Sequence, residues 1–288
     1  DNMDSEKCRA ILCALEKGTI TKAAEELGYT VSGISKMIVS LEQETGFALL
    51  HRSKNGVMAT AECEIVLPHL RAVVAAADAC SQMADSVRGI HRGHVRIGTA
   101  YQSYFRSFAS AIAKFHEIYP DIHVELEQGT STQLVSKLRD GSLDLCLVSM
   151  REGCDSFASV CRDEILAWVP DTSEYRALSA YPVERLTHDA YISIYPGEET
   201  DNSRFLKRLG IQVKEAYCTT EVFAAMSLVE AGLGTALINR LIAENIRGNI
   251  LALPLDPPQY IDIGIVERKS LGPSATRLKE FLLTALIP

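Results

Sequence analysis

The stretch TKAAEELGYTVSGISKMIVSLEQET, residues 21–45, carries two helical patterns separated by a glycine turn. Thr21 is placed to cap a helix over Lys22 to Leu27, with Ala23, Ala24 and Leu27 facing inward. Gly28-Tyr29 makes the turn, and Thr30 caps a further helix from Val31 to about Thr45. Ile34, Ile38 and Leu41 form its buried stripe, which leaves Ser32, Ser35, Lys36 and Ser40 on the other face. Upstream, Cys8, Ile11, Leu12 and Leu15 recur at three- and four-residue spacing as one face of a helix that Gly18 ends. Two short helices joined by a glycine turn, the second with a small polar face, make a helix-turn-helix pattern. The second helix of such a unit enters the major groove by its amino-terminal end. Arg52, Lys54 and Asn55-Gly56 follow in a hairpin predicted over Leu49 to Thr60, a wing aimed at the phosphate backbone. The candidate DNA contacts are therefore Thr21, Lys22, Thr30, Val31, Ser32, Ser35, Lys36, Arg52, Lys54 and Asn55. Spacing alone also fits a solvated helical bundle with no DNA role.

From Glu62 to Val87 there is no glycine, and Pro68 stands near the start, where a helix tolerates it. Cys63, Val66, Leu70, Val73, Ala77, Cys80, Ala84 and Val87 step by 3, 4, 3, 4, 3, 4, 3, a heptad seam that needs a second helix against it. Val66, Leu70, Val73, Ala77, Cys80, Ala84 and Val87 are the expected dimerisation residues, and a dimer suits paired recognition helices. The alternative is that this helix packs on its own head.

Beyond residue 90 strands and helices alternate, which argues for an α/β sheet protein. Strands are predicted at Val95–Gly98, Ile122–Leu126, Leu143–Val148, Tyr191–Ile194, Lys214–Thr219, Gly234–Ile238 and Ile261–Val266. Two strand groups, before about residue 160 and after about 190, imply two lobes with a cleft between them. Ligands in such sheets lie at the carboxyl ends of strands, against free amides at helix starts. Thr99-Ala100-Tyr101-Gln102-Ser103 and Thr130-Ser131 are two hydroxyl-rich junctions suited to a small carboxylate. Thr200, Asp201 and Thr220 belong to the matching junctions of the second lobe. Ordinary helix capping by Ser and Thr is the competing explanation.

The chain has 288 residues, 47% hydrophobic and 23% charged, with mean hydropathy +0.05. That is material for about two domains and excludes a disordered or fibrous protein. No apolar run approaches a membrane span, and the polar start Asp1 to Lys7 is unlike a secretory signal, so a cytoplasmic location is expected unless a targeting segment has been removed. The eight cysteines are scattered without zinc spacing, and reduced thiols are the default. A net charge of −8 means that DNA contact must rest on geometry and local charge. No nucleophile elbow, phosphate loop, metal-ligand spacing or dinucleotide fingerprint is present, so no enzyme, metal or cofactor is expected. His51, in the wing, and His91 and His94, near the domain junction, read as surface or phosphate contacts.

Thr21 to Gly28, Thr30 to Leu41, and Phe47-Ala-Leu-Leu-His-Arg52 together resemble the LysR-type transcriptional regulators. Gly93-His-Val-Arg-Ile-Gly98, Glu127-Gln-Gly-Thr-Ser131, Val229-Glu-Ala-Gly-Leu-Gly234 and Ser270-Leu-Gly-Pro273 resemble their later landmarks, so the likeness covers essentially the whole chain. The resemblance implies a multidomain α+β protein. An all-α winged helix-turn-helix head would span 1–61, a dimerising linker helix 62–89, and a two-lobed α/β effector domain like periplasmic binding proteins 90–288. Lobe 1 would take about 90–162 and 267–288, and lobe 2 about 163–266, with crossovers near Cys161 to Ile165 and Ile265 to Arg268. It further implies double-stranded promoter DNA, a small-molecule effector, contact with RNA polymerase and self-association as a homodimer or homotetramer. Val31 and Ser32 stand where the family often has glutamine then proline or serine, which makes Val31 a candidate thymine-methyl contact. Cys63 and Ala59 replace the usual glycine and leucine, and Asp171-Thr172 stands in place of a common His-Pro pair. A thiol-based redox sensor of the same family would use Cys154 and Cys161. A transport-type solute-binding protein would lack the helical head.

Overall fold

The computed structural model describes residues 3–54, 56–89, 91–152, 154 and 156–286, so Asn55 lies outside the described residues. The head is built from α1 (Ser5–Lys17), α2 (Ile20–Leu27), α3 (Val31–Thr45), β1 (Leu50–Ser53) and β2 (Gly56–Ala59). Thr30 caps α3 as predicted, its hydroxyl accepting from the Gly33 amide. The cap of α2 is Thr19 and not Thr21. Gly18 turns α1 off at φ 74°, Thr19 is then already extended, and its hydroxyl accepts from the Lys22 amide. Thr21 is thereby left inside the first turn of α2, exposed. Ile34, Ile38 and Leu41 are buried with Cys8, Ile11 and Ala14 in one head core. Hydrogen bonds to Gly18 and Glu42 anchor the wing hairpin to the helices. The Val57 amide donates to the Gly18 carbonyl at 2.8 Å, and Glu42 Oε1 accepts from the Leu49 and Leu50 amides.

The linker helix α4 (Ala61–Val87) carries the predicted seam, but the seam divides. Cys63 and Leu70 are buried in the head core, with Val66 and Val73 packed against it. Cys63, in place of the usual glycine, fills that core, and burial pushes its thiol up to about 11. Only the distal part reaches solvent: Cys80 and Ala84 are exposed and Val87 is 84% exposed. A single helix cannot offer the same apolar stripe to its own head and to a partner, so Val66, Leu70 and Val73 are taken within the chain.

The second domain adds β3 (Gly93–Thr99), α5 (Phe105–Ile118), β4 (Ile122–Gln128), α6 (Ser131–Arg139), β5 (Leu145–Ser149) and β6 (Phe157–Pro170). Then come α7 (Ser173–Arg176), β7 (Tyr181–Pro182), β8 (Ala190–Ile194), α8 (Asp201–Leu209), β9 (Lys214–Thr219) and α9 (Val222–Glu230). It ends with β10 (Ala236–Asn239), α10 (Arg240–Ala243), β11 (Ile250–Glu267) and α11 (Pro273–Leu286). One sheet runs through both lobes in the order β10-β6-β11-β5-β3-β4, with β7 beside β11; β8 and β9 form a separate parallel pair. In lobe 1, α5 and α11 cover one face through Phe108, Phe115, Leu278 and Leu282, and α6 covers the other through Leu134, Val135 and Leu138. Lobe 2 closes over Tyr181, Leu186 and Phe205 on one side and Trp168, Met226 and Val229 on the other.

The spine of the domain is the long antiparallel pair β6–β11, which runs from Phe157 opposite Val266 to Pro170 opposite Ile250. Sequence reading misses β6 as a strand and finds only the end of β11. Arg162-Asp163-Glu164 interrupts the apolar run of the first, and Pro254, Pro257 and Pro258 disguise the second. The second crossover also moves. β11 begins to pair with β5 at Ile263, so Ile265 to Glu267 lie inside lobe 1 and the crossing falls at Ile261–Ile263, opposite Asp163–Cys161. No helix among the described residues is long and apolar enough to cross a membrane.

Candidate DNA-contacting head and effector cleft

On the head, Thr21, Lys22, Thr30, Val31, Ser32, Lys36, Arg52 and Lys54 are exposed and Ser35 is half-buried. The amino-terminal end of α3 presents Val31, an apolar side chain 46% exposed, beside Ser32, Ser35 and Lys36. Arg52 lies on β1 with its guanidinium 3.6 Å from Glu42, the residue that also holds the start of the hairpin. Position 56 admits only glycine. Its φ is +124°, and an added Cβ would fall 2.3 Å from the Gly18 carbonyl oxygen. The wing is thus clamped against the α1–α2 turn.

In the cleft, the two junctions of lobe 1 behave differently. Thr99 is fully buried and does not line the cleft; its hydroxyl is locked to Tyr101, accepting from the amide at 3.0 Å and donating to the carbonyl at 3.2 Å. Gln102 and Ser103 lie in a short 3-10 turn, where Gln102 is exposed and Ser103 donates to the Leu241 carbonyl of lobe 2 at 2.8 Å. Neither they nor Thr220, which is exposed, line the interlobe cavity. Thr130 and Thr200 do line it, but their hydroxyls are occupied as the caps of α6 and α8, each in a capping box.

The second junction is where the lobes meet. Ser131, the first residue of α6, accepts from the Ser149 amide at 3.1 Å, and the two hydroxyls lie 3.1 Å apart. Asp201, the first residue of α8, reaches across from lobe 2. Ser149 Oγ donates to its Oδ1 at 2.5 Å, Arg151 Nη1 to the same oxygen at 2.8 Å, and Tyr101 Oη to Oδ2 at 3.2 Å. Tyr101 is buried, and burial together with the nearby Asp201 charge lifts its phenol well above the ordinary range. It therefore stays protonated and serves as a donor. The position expected to receive a carboxylate already holds one, supplied in cis.

Beside this latch is a cavity of about 90 Å³, lined by Ala100, Thr130, Ile194, Tyr195, Val222 and Asn239 among others. Among the described residues Tyr195 is the non-glycine residue with positive φ, at 58°, which costs on the order of 1–3 kcal/mol and is a feature of ligand-clamping segments. Sequence reasoning misses Ser149, Arg151, Tyr195 and Asn239. A usable signal existed for two of them, since Ser149 and Arg151 stand at the carboxyl end of the most apolar strand, where such sheets bind ligands.

The cysteine pair is not brought together. Cys161 packs in the α5–α11 cluster with its sulfur 3.1 Å from Tyr104 Oη, whereas Cys154 packs on the other face of the sheet beside Cys146. Burial lifts the Cys161 thiol, the opposite of what a reactive thiolate needs.

The family model described as bacterial regulatory helix-turn-helix protein, lysR family, matches residues 5–64, and that of the LysR substrate binding domain matches residues 88–286. The chain is 25% identical to the HTH-type transcriptional regulator CbbR of Sinorhizobium medicae, over 99% of this chain and 94% of that protein. In fold it is similar to a full-length OxyR variant from Pseudomonas aeruginosa, with TM-score 0.79 and 19% identity, covering 99% of this chain and 95% of that one. It is also similar to full-length CbnR in complex with its target DNA, with TM-score 0.60 and 17% identity, covering 98% and 100%.

Proposed function

Because the chain belongs to the LysR family of DNA-binding transcriptional regulators, with that family's effector-binding domain, we propose that a small anionic molecule controls its DNA binding or bending by displacing Asp201 from the interlobe cleft. The observation that carries this reading is the convergence of Ser149, Arg151 and Tyr101 on the Asp201 carboxylate. Three donors from lobe 1 that hold a tethered carboxylate are chemically competent to hold a free one. Displacing Asp201 releases the buried tie between α8 and lobe 1, leaving the exposed contacts Arg204–Met150 and Thr132–Glu199, and the lobes then take a different relative orientation. The effector shifts that equilibrium only by its preference for one orientation over the other.

On the DNA side, the start of α3 reads the major groove through Val31, Ser32, Ser35 and Lys36, while Arg52 and Lys54 on the wing meet phosphates. Lys22 and the exposed Thr21 at the start of α2, with Thr30, complete the contact. Self-association through the distal end of α4, at the half-buried Ala77 and the exposed Cys80, Ala84 and Val87, pairs two heads on DNA, and a change of lobe orientation alters their spacing. The output is passed to RNA polymerase.

The experiment is a thermal-shift screen of the full chain and of Asp201→Ala against small aliphatic and aromatic carboxylates. A ligand at about a hundred times its dissociation constant stabilises the fold by roughly 2.7 kcal/mol. An acid that binds is expected to bind Asp201→Ala more tightly, because its competitor is gone. Acids that stabilise neither protein, or that bind both equally, would overturn the displacement reading.

A further inference from the structure

A second group of polar side chains lies away from the cleft, on lobe 1 near the head. β3 and β4 run parallel and in register, with His94 directly opposite His123. The two-residue period of a strand puts Glu125 on the same face as His123. The imidazole ring centroids are 5.0 Å apart, and His94 Nε2 lies 3.4 Å from Glu125 Oε1. Among the described residues these three form the one group of potential metal ligands, with one ligand atom from each residue within 4.8 Å of the others.

We propose that His94, His123 and Glu125 form a site for a divalent late first-row transition metal, of which zinc is the simplest case. Two imidazoles and one carboxylate are a donor set of the kind used at three-ligand zinc sites that keep a fourth position for water. Bonds of about 2.0–2.1 Å in a tetrahedron place donor atoms roughly 3.4 Å apart, so closing the group on an ion asks for shifts of about 1 Å. All three side chains are exposed, so such shifts break no core packing. Glu125 is also held from behind: Arg96 Nε donates to its Oε2 at 3.1 Å, which leaves Oε1 turned toward His94. An outer partner on the spare oxygen is a recurring way of orienting a metal-binding carboxylate.

The site's position gives it a consequence. His94, Arg96 and Glu125 line an open cleft of about 890 Å³ between lobe 1, α4 and α1 of the head. Arg96 Nη2 also lies 3.7 Å from Glu16 on α1, so one guanidinium links the ligand carboxylate to the DNA-binding head. A dication on Glu125 Oε1 leaves Arg96 on Oε2 and draws on the same carboxylate charge, so metal occupancy bears on the Arg96–Glu16 contact with the head.

The test is equilibrium dialysis of the full chain against zinc, and against cobalt as a coloured probe, with thiols kept reduced. One saturable equivalent is expected, lost in His94→Ala and in His123→Ala and retained in Cys80→Ser/Cys218→Ser, which removes the two exposed thiols. The cobalt spectrum should lack the intense near-ultraviolet band of thiolate coordination. Circular dichroism identical to wild type confirms that the histidine variants are folded. A saturable equivalent that survives both histidine substitutions, or that disappears with the cysteines, would overturn the assignment, as would the lack of any saturable equivalent.

Discussion

The Asp201 carboxylate of lobe 2 lies 2.8 Å from the Arg151 guanidinium of lobe 1, with the two side chains only 12% and 7% exposed. The pair also shares Ser149, whose hydroxyl contacts both groups. A buried ion pair adds little net stability compared with an apolar replacement, but removing one partner leaves an uncompensated charge. Arg151→Ala should therefore lower the unfolding free energy by about 3–5 kcal/mol, measured in urea, and the double variant Arg151→Ala/Asp201→Ala should recover much of the loss. A double variant as unstable as the single one would show that the pair is not the source of the effect.

Gly56 is held where a side chain cannot go, because the Gly18 carbonyl lies against it while accepting from the next amide along the wing, that of Val57. Gly56→Ala must either open the hairpin or strain it, at a cost on the order of 1–3 kcal/mol. The expected result is a weaker DNA complex in a fluorescence-anisotropy titration, with the far-ultraviolet spectrum unchanged. Normal affinity would mean that the wing does not need this clamp.

Arg52→Ala should weaken binding to every DNA sequence alike and reduce the slope of log affinity against log salt by about one. The same loss without a change of slope would place Arg52 off the phosphates, its role confined to the 3.6 Å contact with Glu42.

The divided seam of α4 can be tested by two substitutions with opposite signatures. Leu70 is 1% exposed in the head core, so Leu70→Ala should cost about 2–5 kcal/mol at any protein concentration. Val87 is 84% exposed, so Val87→Asp should leave stability within about 0.5 kcal/mol while weakening self-association in sedimentation velocity. Unaltered self-association would remove the distal end of α4 from the interface.

Much of the architecture is legible in the chain. The bounds of α3, its Thr30 cap and its Ile34, Ile38, Leu41 stripe follow from spacing and capping chemistry, and β9 has both of its predicted ends. Such features are local: a helix or strand reports its buried face by its own period, and a cap satisfies amides three residues away. What the tertiary structure decides is which elements meet. Thr99 and Ser131 look alike in sequence, yet one is sealed under Tyr101 and the other meets the interlobe latch. Arg151 finds Asp201 fifty residues away, and His94 finds His123 through strand register. The seam of α4 reads as one continuous stripe, and only packing shows that the head claims its first half. Periodicity records that a side chain will be buried or paired; the partner is chosen by the competition of all surfaces for contact, which no short stretch of chain contains.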